Sequence, residues 1–272
     1  MMATTQVGSL TIHYQTAGEG IPLILLHGLG NNSGSWSRQL AGLQNQFQVI
    51  AWDTPGYGES SDPEPEFRTF RELAVILRDF LDALGFQKIY LLGHSMGSTL
   101  AMQFCSMYPE YVEALILAAS TRGGLANPES NERKLKNRLH NIENLSPEEL
   151  AERRTPDMFS KFASGEAITE AMRIMSKVRP AGYRSVAYSL YHADQTSLLS
   201  SIQMPTLLIC GEDDTVTPVA ESRMVEQRIL GSRLELIAQA GHLCYIEKPE
   251  EFNALVRSFL QSVSQKVNEG EV

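Results

Sequence analysis

Cysteine is scarce in this chain: Cys105, Cys210 and Cys244 are the 3 in 272 residues. They are widely separated, form no C-x-x-C pair, and so exclude a disulfide framework or a thiolate metal site. Long apolar runs are missing as well; none approaches the ~18 residues a membrane helix needs. Met1 to Leu10 carries no cationic run and no apolar stretch of signal-peptide type, so a reducing, cytoplasmic setting is the expectation. Basic residues are outnumbered, 23 Lys and Arg against 32 Asp and Glu, giving a net charge of −9. An acidic surface repels phosphate backbones and anionic lipid, which excludes nucleic acid and membrane as main partners. Gly (20) and Pro (12) are too few for a fibrous or low-complexity chain. What remains, 43% hydrophobic and 20% charged, is a globular composition whose length suits one α/β domain.

Short apolar runs alternate with amphipathic segments. Residues 21–27, 47–52, 88–92, 112–117 and 206–210 read as strands buried on both faces, the mark of a parallel sheet covered by helices. Residues 8–16 alternate, with Leu10, Ile12 and Tyr14 on one face, as a partly exposed antiparallel edge does. Leu73, Ile76, Leu77, Phe80, Leu81 and Leu84 recur at helical spacing before Gly85, and similar stripes run over 100–107 and 252–260. Strand–helix alternation predicts βαβ units. From about Ser120 to Ser200 the rhythm breaks into charged helical segments, with a capping-box start at Ser146-Pro147-Glu148-Glu149. The division expected is a first core part (1–120), a helical insertion (121–200) and a second core part (201–272), with the polar tail after Lys266 frayed.

Gly93-His94-Ser95-Met96-Gly97 follows the 88–92 strand and opens a helix near Ser98. This is G-x-S-x-G in its strand–turn–helix context, which presents the Ser95 hydroxyl above the sheet edge. A serine hydroxyl needs a base. Of six histidines, His242 stands in a loop just after the strand-like 233–238, at the same sheet edge; His27 and His94 are embedded in turns, and His140 and His192 lie in the insertion. The base needs a carboxylate to set its tautomer. Glu212-Asp213-Asp214 follows the 206–210 strand, and Asp214 is favoured over Asp213. Backbone N–H groups of Leu29, in the Gly28-Leu29-Gly30 turn, and of Met96 are the expected oxyanion donors.

In their order along the chain, His27-Gly28-Leu29-Gly30, the Asp53–Ser60 loop, the Ser95 turn, Gly211-Glu212-Asp213-Asp214 and Gly241-His242 resemble the α/β-hydrolase family over nearly the whole length. The resemblance implies an α/β-hydrolase fold with a mostly parallel central sheet. It also implies a helical cap formed by the insertion and a structural role for the Asp53–Ser60 loop. The pattern is most similar to enol-lactonases and small carboxylesterases. Ser95, where haloalkane dehalogenases and epoxide hydrolases carry Asp, separates it from those. Gly28-Leu29-Gly30-Asn31-Asn32 and Leu243 depart from the Gly-Pro loop and the Trp of carbon–carbon bond hydrolases.

The reading is a serine hydrolase of a small, mainly apolar ester or lactone, acting through an acyl-enzyme without metal or cofactor. Its rivals are a carbon–carbon bond hydrolase of a vinylogous diketone acid and a non-enzymatic ligand receptor on the same fold. Trp36, Leu125 and Leu243 are candidate pocket residues. Arg122 stands at the start of the insertion, as a ligand for a substrate carboxylate or as an exposed hinge residue. Oligomeric state and the identity of the substrate are not legible.

Overall fold

The computed structural model describes residues 1–126 and 128–269. Eight strands form one sheet: β1 (Met2–Val7), β2 (Leu10–Ala17), β3 (Pro22–Leu26), β4 (Gln48–Trp52), β5 (Ile89–His94), β6 (Val112–Ala118), β7 (Thr206–Gly211) and β8 (Arg233–Ile237). Their order is β1-β2-β4-β3-β5-β6-β7-β8. β1 and β2 pair antiparallel, as do β2 and β4; every other pair is parallel. The alternating segment expected at the edge is therefore second in the sheet. β1 covers it through a two-residue turn at Gly8-Ser9, and most of β1 stays open to water.

Around the sheet run α1 (Ser37–Leu43), α2 (Phe70–Ala83), α3 (Met96–Met107), α4 (Pro128–Asn144), α5 (Pro147–Arg154), α6 (Gly165–Met175), α7 (Pro180–Tyr191), α8 (Val219–Glu226), α9 (Cys244–Glu247) and α10 (Pro249–Glu269). Successive strand residues point to opposite faces, so the continuous apolar runs divide between two cores. Ile24, Leu26, Leu91 and Leu115 pack with Leu73, Leu77 and Phe80 of α2 and Leu100 and Phe104 of α3. Leu23, Leu25, Leu92 and Ile116 pack with Leu40 and Leu43 of α1 and Phe252, Val256 and Leu260 of α10. α2 starts at a full capping box, Thr69 with Glu72, and α5 at the expected one, Ser146 with Glu149.

Helices α4 to α7 occupy the chain between β6 and β7, where the insertion was expected. Three details differ from the sequence reading. α4 is a long charged helix that its weak apolar stripe did not announce. α3 begins at Met96, immediately after the serine. The tail after Lys266 stays helical to Glu269, and residues 270–272 lie outside those described. Because β4 and β5 flank β3 on opposite sides, the loops leaving β3 and β5 diverge, opening a crevice at the carboxyl ends of the parallel strands.

Candidate active site

Ser95 joins β5 to α3 with φ 52° and ψ −117°. A side chain at positive φ is strained by about 1–3 kcal/mol, so close packing has to impose it. A Cβ on Gly93 would lie 2.3 Å from the Gly97 carbonyl oxygen, and one on Gly97 2.2 Å from that of Leu26. Only glycines let strand, turn and helix approach this closely. The Ser95 N–H donates to the Ala118 carbonyl at 2.9 Å, fastening the turn to the end of β6.

Ser95 Oγ lies 3.0 Å from His242 Nε2, and His242 Nδ1 lies 2.9 Å from Asp214 Oδ2. All three residues are buried. Asp214 Oδ1 accepts the N–H groups of Val216 (2.8 Å) and Thr217 (2.9 Å), and Thr217 Oγ1 lies 2.9 Å from Oδ2. Burial pushes the Asp214 carboxyl up, but His242 and the Thr217 donors pull it further down, below its ordinary value. An ionised carboxylate only accepts, so Nδ1 of His242 carries a proton toward it. Nε2 of the neutral ring is then the lone pair facing Ser95. Asp213, the alternative, is exposed.

His94 braces His242 from below. Its Nε2–H donates to the His242 carbonyl at 2.8 Å. Burial and the neighbouring His242 lower its pKa to about 3, so it stays neutral. Its ring packs edge-on to Trp36 and beside Tyr245. A Cβ on Gly28 would fall 2.9 Å from His94 Nδ1 and 3.3 Å from Ser95 Cβ, so the Leu29 turn is pressed against the serine. The Asp53–Ser60 loop holds that turn in place. Asp53 accepts from the Ser33 N–H (2.6 Å) and the Glu59 N–H (3.0 Å), and its carboxylate lies 2.7 Å from His13 Nδ1. The Thr54 N–H donates to His27 Nε2 at 3.1 Å.

A cavity of about 850 Å³ opens over Ser95, walled on the core side by Thr217 and Pro218 and on the insertion side by Arg138, Leu190 and Tyr191. Its lining is mixed rather than mainly apolar. The expected pocket residues lie elsewhere. Trp36 and Leu243 are fully buried in the second core, where Trp36 packs against Tyr245 and edge-on to His94. Leu125 is 48% exposed and does not line the cavity. Arg122 is neither a hinge on the surface nor a free cation. Its Nε and one Nη donate to Glu221 at 2.8 and 3.0 Å, and the other Nη to Thr196 at 3.1 Å.

Two residues of the site escaped the sequence reading. Thr217 touches both Asp214 and His242 Nδ1 (3.1 Å); its signal was an Asp followed at i+3 by Thr, a local turn pattern. Glu247 accepts from the Gly241 N–H at 2.6 Å and the Ser160 hydroxyl at 2.7 Å, tying the histidine loop to the insertion. Nothing local announces that long-range contact. Among the described residues no cluster of His, Cys, Asp and Glu could hold a metal ion, and no helix is long and apolar enough to cross a membrane.

Comparison with known proteins agrees with this architecture. The alpha/beta hydrolase fold family matches residues 21–164 and 146–249. A poly(3-hydroxyalkanoate) depolymerase of Ectopseudomonas oleovorans is 31% identical over 90% of this chain and 86% of its own length. A 3-oxoadipate enol-lactonase of Acinetobacter baylyi is 28% identical over 97% of both. A thermophilic esterase from Thermogutta terrifontis superposes with a TM-score of 0.89 at 25% identity, over 97% of this chain and 99% of that one. With a mostly parallel eight-stranded sheet, a serine at the turn after β5 and family matches that together span most of its length, this chain belongs to the alpha/beta hydrolase fold family.

Proposed function

We propose that the chain is a serine hydrolase of carboxylic esters or lactones that works through an acyl-enzyme, with Ser95, His242 and Asp214 as its catalytic triad. The observation that carries this reading is the unbroken hydrogen-bonded path from Ser95 Oγ through His242 to Asp214, at 3.0 and 2.9 Å. The names of the relatives, an enol-lactonase and an esterase, favour esters and lactones as the substrate class.

His242 Nε2 takes the hydroxyl proton as Ser95 Oγ bonds to the substrate carbonyl carbon. The resulting oxyanion is met by the N–H groups of Leu29 and Met96, in a turn and at a helix N-terminus that converge on the serine. The imidazolium, stabilised by Asp214, returns its proton to the leaving alkoxide as the C–O bond breaks. In a lactone that alkoxide stays tethered to the acyl group. Water then attacks the acyl-enzyme with His242 again as base, and Ser95 regains its proton.

Activity-based labelling and kinetics test this together. An alkyl fluorophosphonate should modify Ser95, and 4-nitrophenyl esters or simple lactones should be turned over many times per active site. Ser95→Ala should lower kcat on the order of 10⁴-fold or more. A single turnover without further product, or a Ser95→Ala protein with near-normal turnover, would sink the proposal.

A further inference from the structure

The insertion brings two guanidinium groups onto one phenol, that of Tyr183, and among the described residues neither has an acid as ion-pair partner. Arg138 of α4 lines the cavity that contains Ser95. Its Nε donates to Tyr191 Oη at 2.5 Å and an Nη to Tyr183 Oη at 3.3 Å. Arg154, at the end of α5, donates to the same Tyr183 Oη at 2.6 Å. It also reaches the oxyanion turn, since a Cβ on Gly30 would lie 3.6 Å from its Nη. Among the described residues neither arginine has a carboxylate within ion-pair distance, whereas Arg38, Arg78, Arg122, Arg179 and Arg184 all do.

The hydrogen-bond inventory of the cluster is one-sided. Each guanidinium brings five N–H donors and no acceptor, and each phenol one donor. The phenol oxygens are the only side-chain acceptors these guanidinium donors meet among the described residues. Tyr183 reports the resulting field. Burial pushes its phenol up, yet the two guanidiniums pull it further down, below its ordinary value. In a chain of net charge −9, acids are plentiful, yet among the described residues none lies within ion-pair distance of either arginine; the carboxylate that lines the cavity, Glu221, is held by Arg122. Lys134 adds a further cation to the same wall.

We propose that Arg138, backed by Arg154 through Tyr183, is the recognition site for a carboxylate carried by the substrate, so that the hydrolysed ester or lactone is an acid. This rests on the hydrolytic reading above and names its substrate class. It moves the carboxylate ligand from Arg122, which Glu221 occupies, to arginines that have no counter-ion among the described residues. Arg138 shares the cavity with Ser95.

The test compares mono-4-nitrophenyl glutarate with its methyl-capped, neutral diester on the wild type, Arg138→Met, Arg138→Lys and Arg154→Met. A charge-assisted contact predicts that the wild type favours the monoacid 10–100-fold in kcat/KM, chiefly through KM. This ratio should fall toward one in both Met variants and recover in part with Lys, which keeps the charge but not the fork. A wild-type ratio at or below one, or a ratio unchanged by the Met variants, overturns the proposal. If neither ester is hydrolysed, calorimetry of glutarate against dimethyl glutarate reads the site independently of the hydrolase reading. Glutarate binding that weakens at least tenfold in Arg138→Met and less in Arg138→Lys supports the site; no glutarate binding, or binding unchanged in Arg138→Met, refutes it. Circular dichroism checks each variant's fold, and a misfolded one leaves the wild-type ratio to decide.

Discussion

Replacing Asp214 with Asn tests the site most sharply, because the surroundings dictate which way the new amide turns. Oδ1 accepts two backbone N–H groups, from Val216 and Thr217, so the Asn carbonyl oxygen must take that place. The NH₂ group then stands where Oδ2 was, facing His242 Nδ1 and Thr217 Oγ1, previously 2.9 Å from each. Both can accept from it, while the Thr217 hydroxyl donates to the Ala119 carbonyl at 3.0 Å. Nδ1 as an acceptor forces the ring proton onto Nε2, which then donates toward Ser95 instead of receiving its proton. Escape requires flipping the amide and losing two backbone hydrogen bonds, about 2–4 kcal/mol together. That leaves on the order of 0.1–3% of molecules in the competent tautomer, without the carboxylate charge. The expected loss in kcat is therefore on the order of 10²–10⁴-fold on a 4-nitrophenyl ester. The low-field Nδ1 proton should vanish from the NMR spectrum, and Asp213→Asn should behave as wild type. Retention of more than about a tenth of kcat by Asp214→Asn would refute the tautomer argument.

Two further expectations concern stability. Arg122→Met removes both guanidinium bonds to Glu221 from a place where the two side chains are only 9% and 12% exposed. It should cost about 3 kcal/mol and lower Tm on the order of 10 °C in a thermal melt; an unmoved Tm with a raised KM would restore Arg122 as a substrate ligand. The buried His13–Asp53 pair makes the brace behind the Leu29 turn pH-dependent. The hydrogen bond to Asp53 holds His13 above its ordinary 6.5, so its contribution is complete below that pH and fades as pH rises through the folded value. His13 and the Ser33 and Glu59 N–H groups outweigh burial and hold Asp53 below 3.8, so its contribution is present above that pH and is lost as pH falls through the folded value. The Tm difference between wild type and His13→Gln should be widest between about pH 4 and 6.5 and shrink at alkaline pH. A difference that stays flat from mildly acidic to alkaline pH would refute the pair's role.

Much of this was legible without coordinates because its causes are local. The apolar runs of β3 to β7 announce strands buried on both faces, since a side-chain period of two must satisfy two cores at once. Gly93 and Gly97 announce a turn that nothing larger fits, and Ser146 with Glu149 writes a helix start into four residues. The less local features were missed. β1 has a weak pattern because one side of it faces water, and α4 because charge dominates it.

By itself, the order of strands, helices and turn motifs determined the sheet, the place of the insertion and the serine, histidine and aspartate that converge on one edge, because backbone geometry and burial act within a few residues. Only the tertiary structure decided which charges are spoken for. Arg122 meets Glu221 across 99 residues, while Arg138 and Arg154 meet each other's tyrosines instead of an acid. Coulomb and hydrogen-bond partners are chosen by distance in space, and no spacing along the chain encodes that choice.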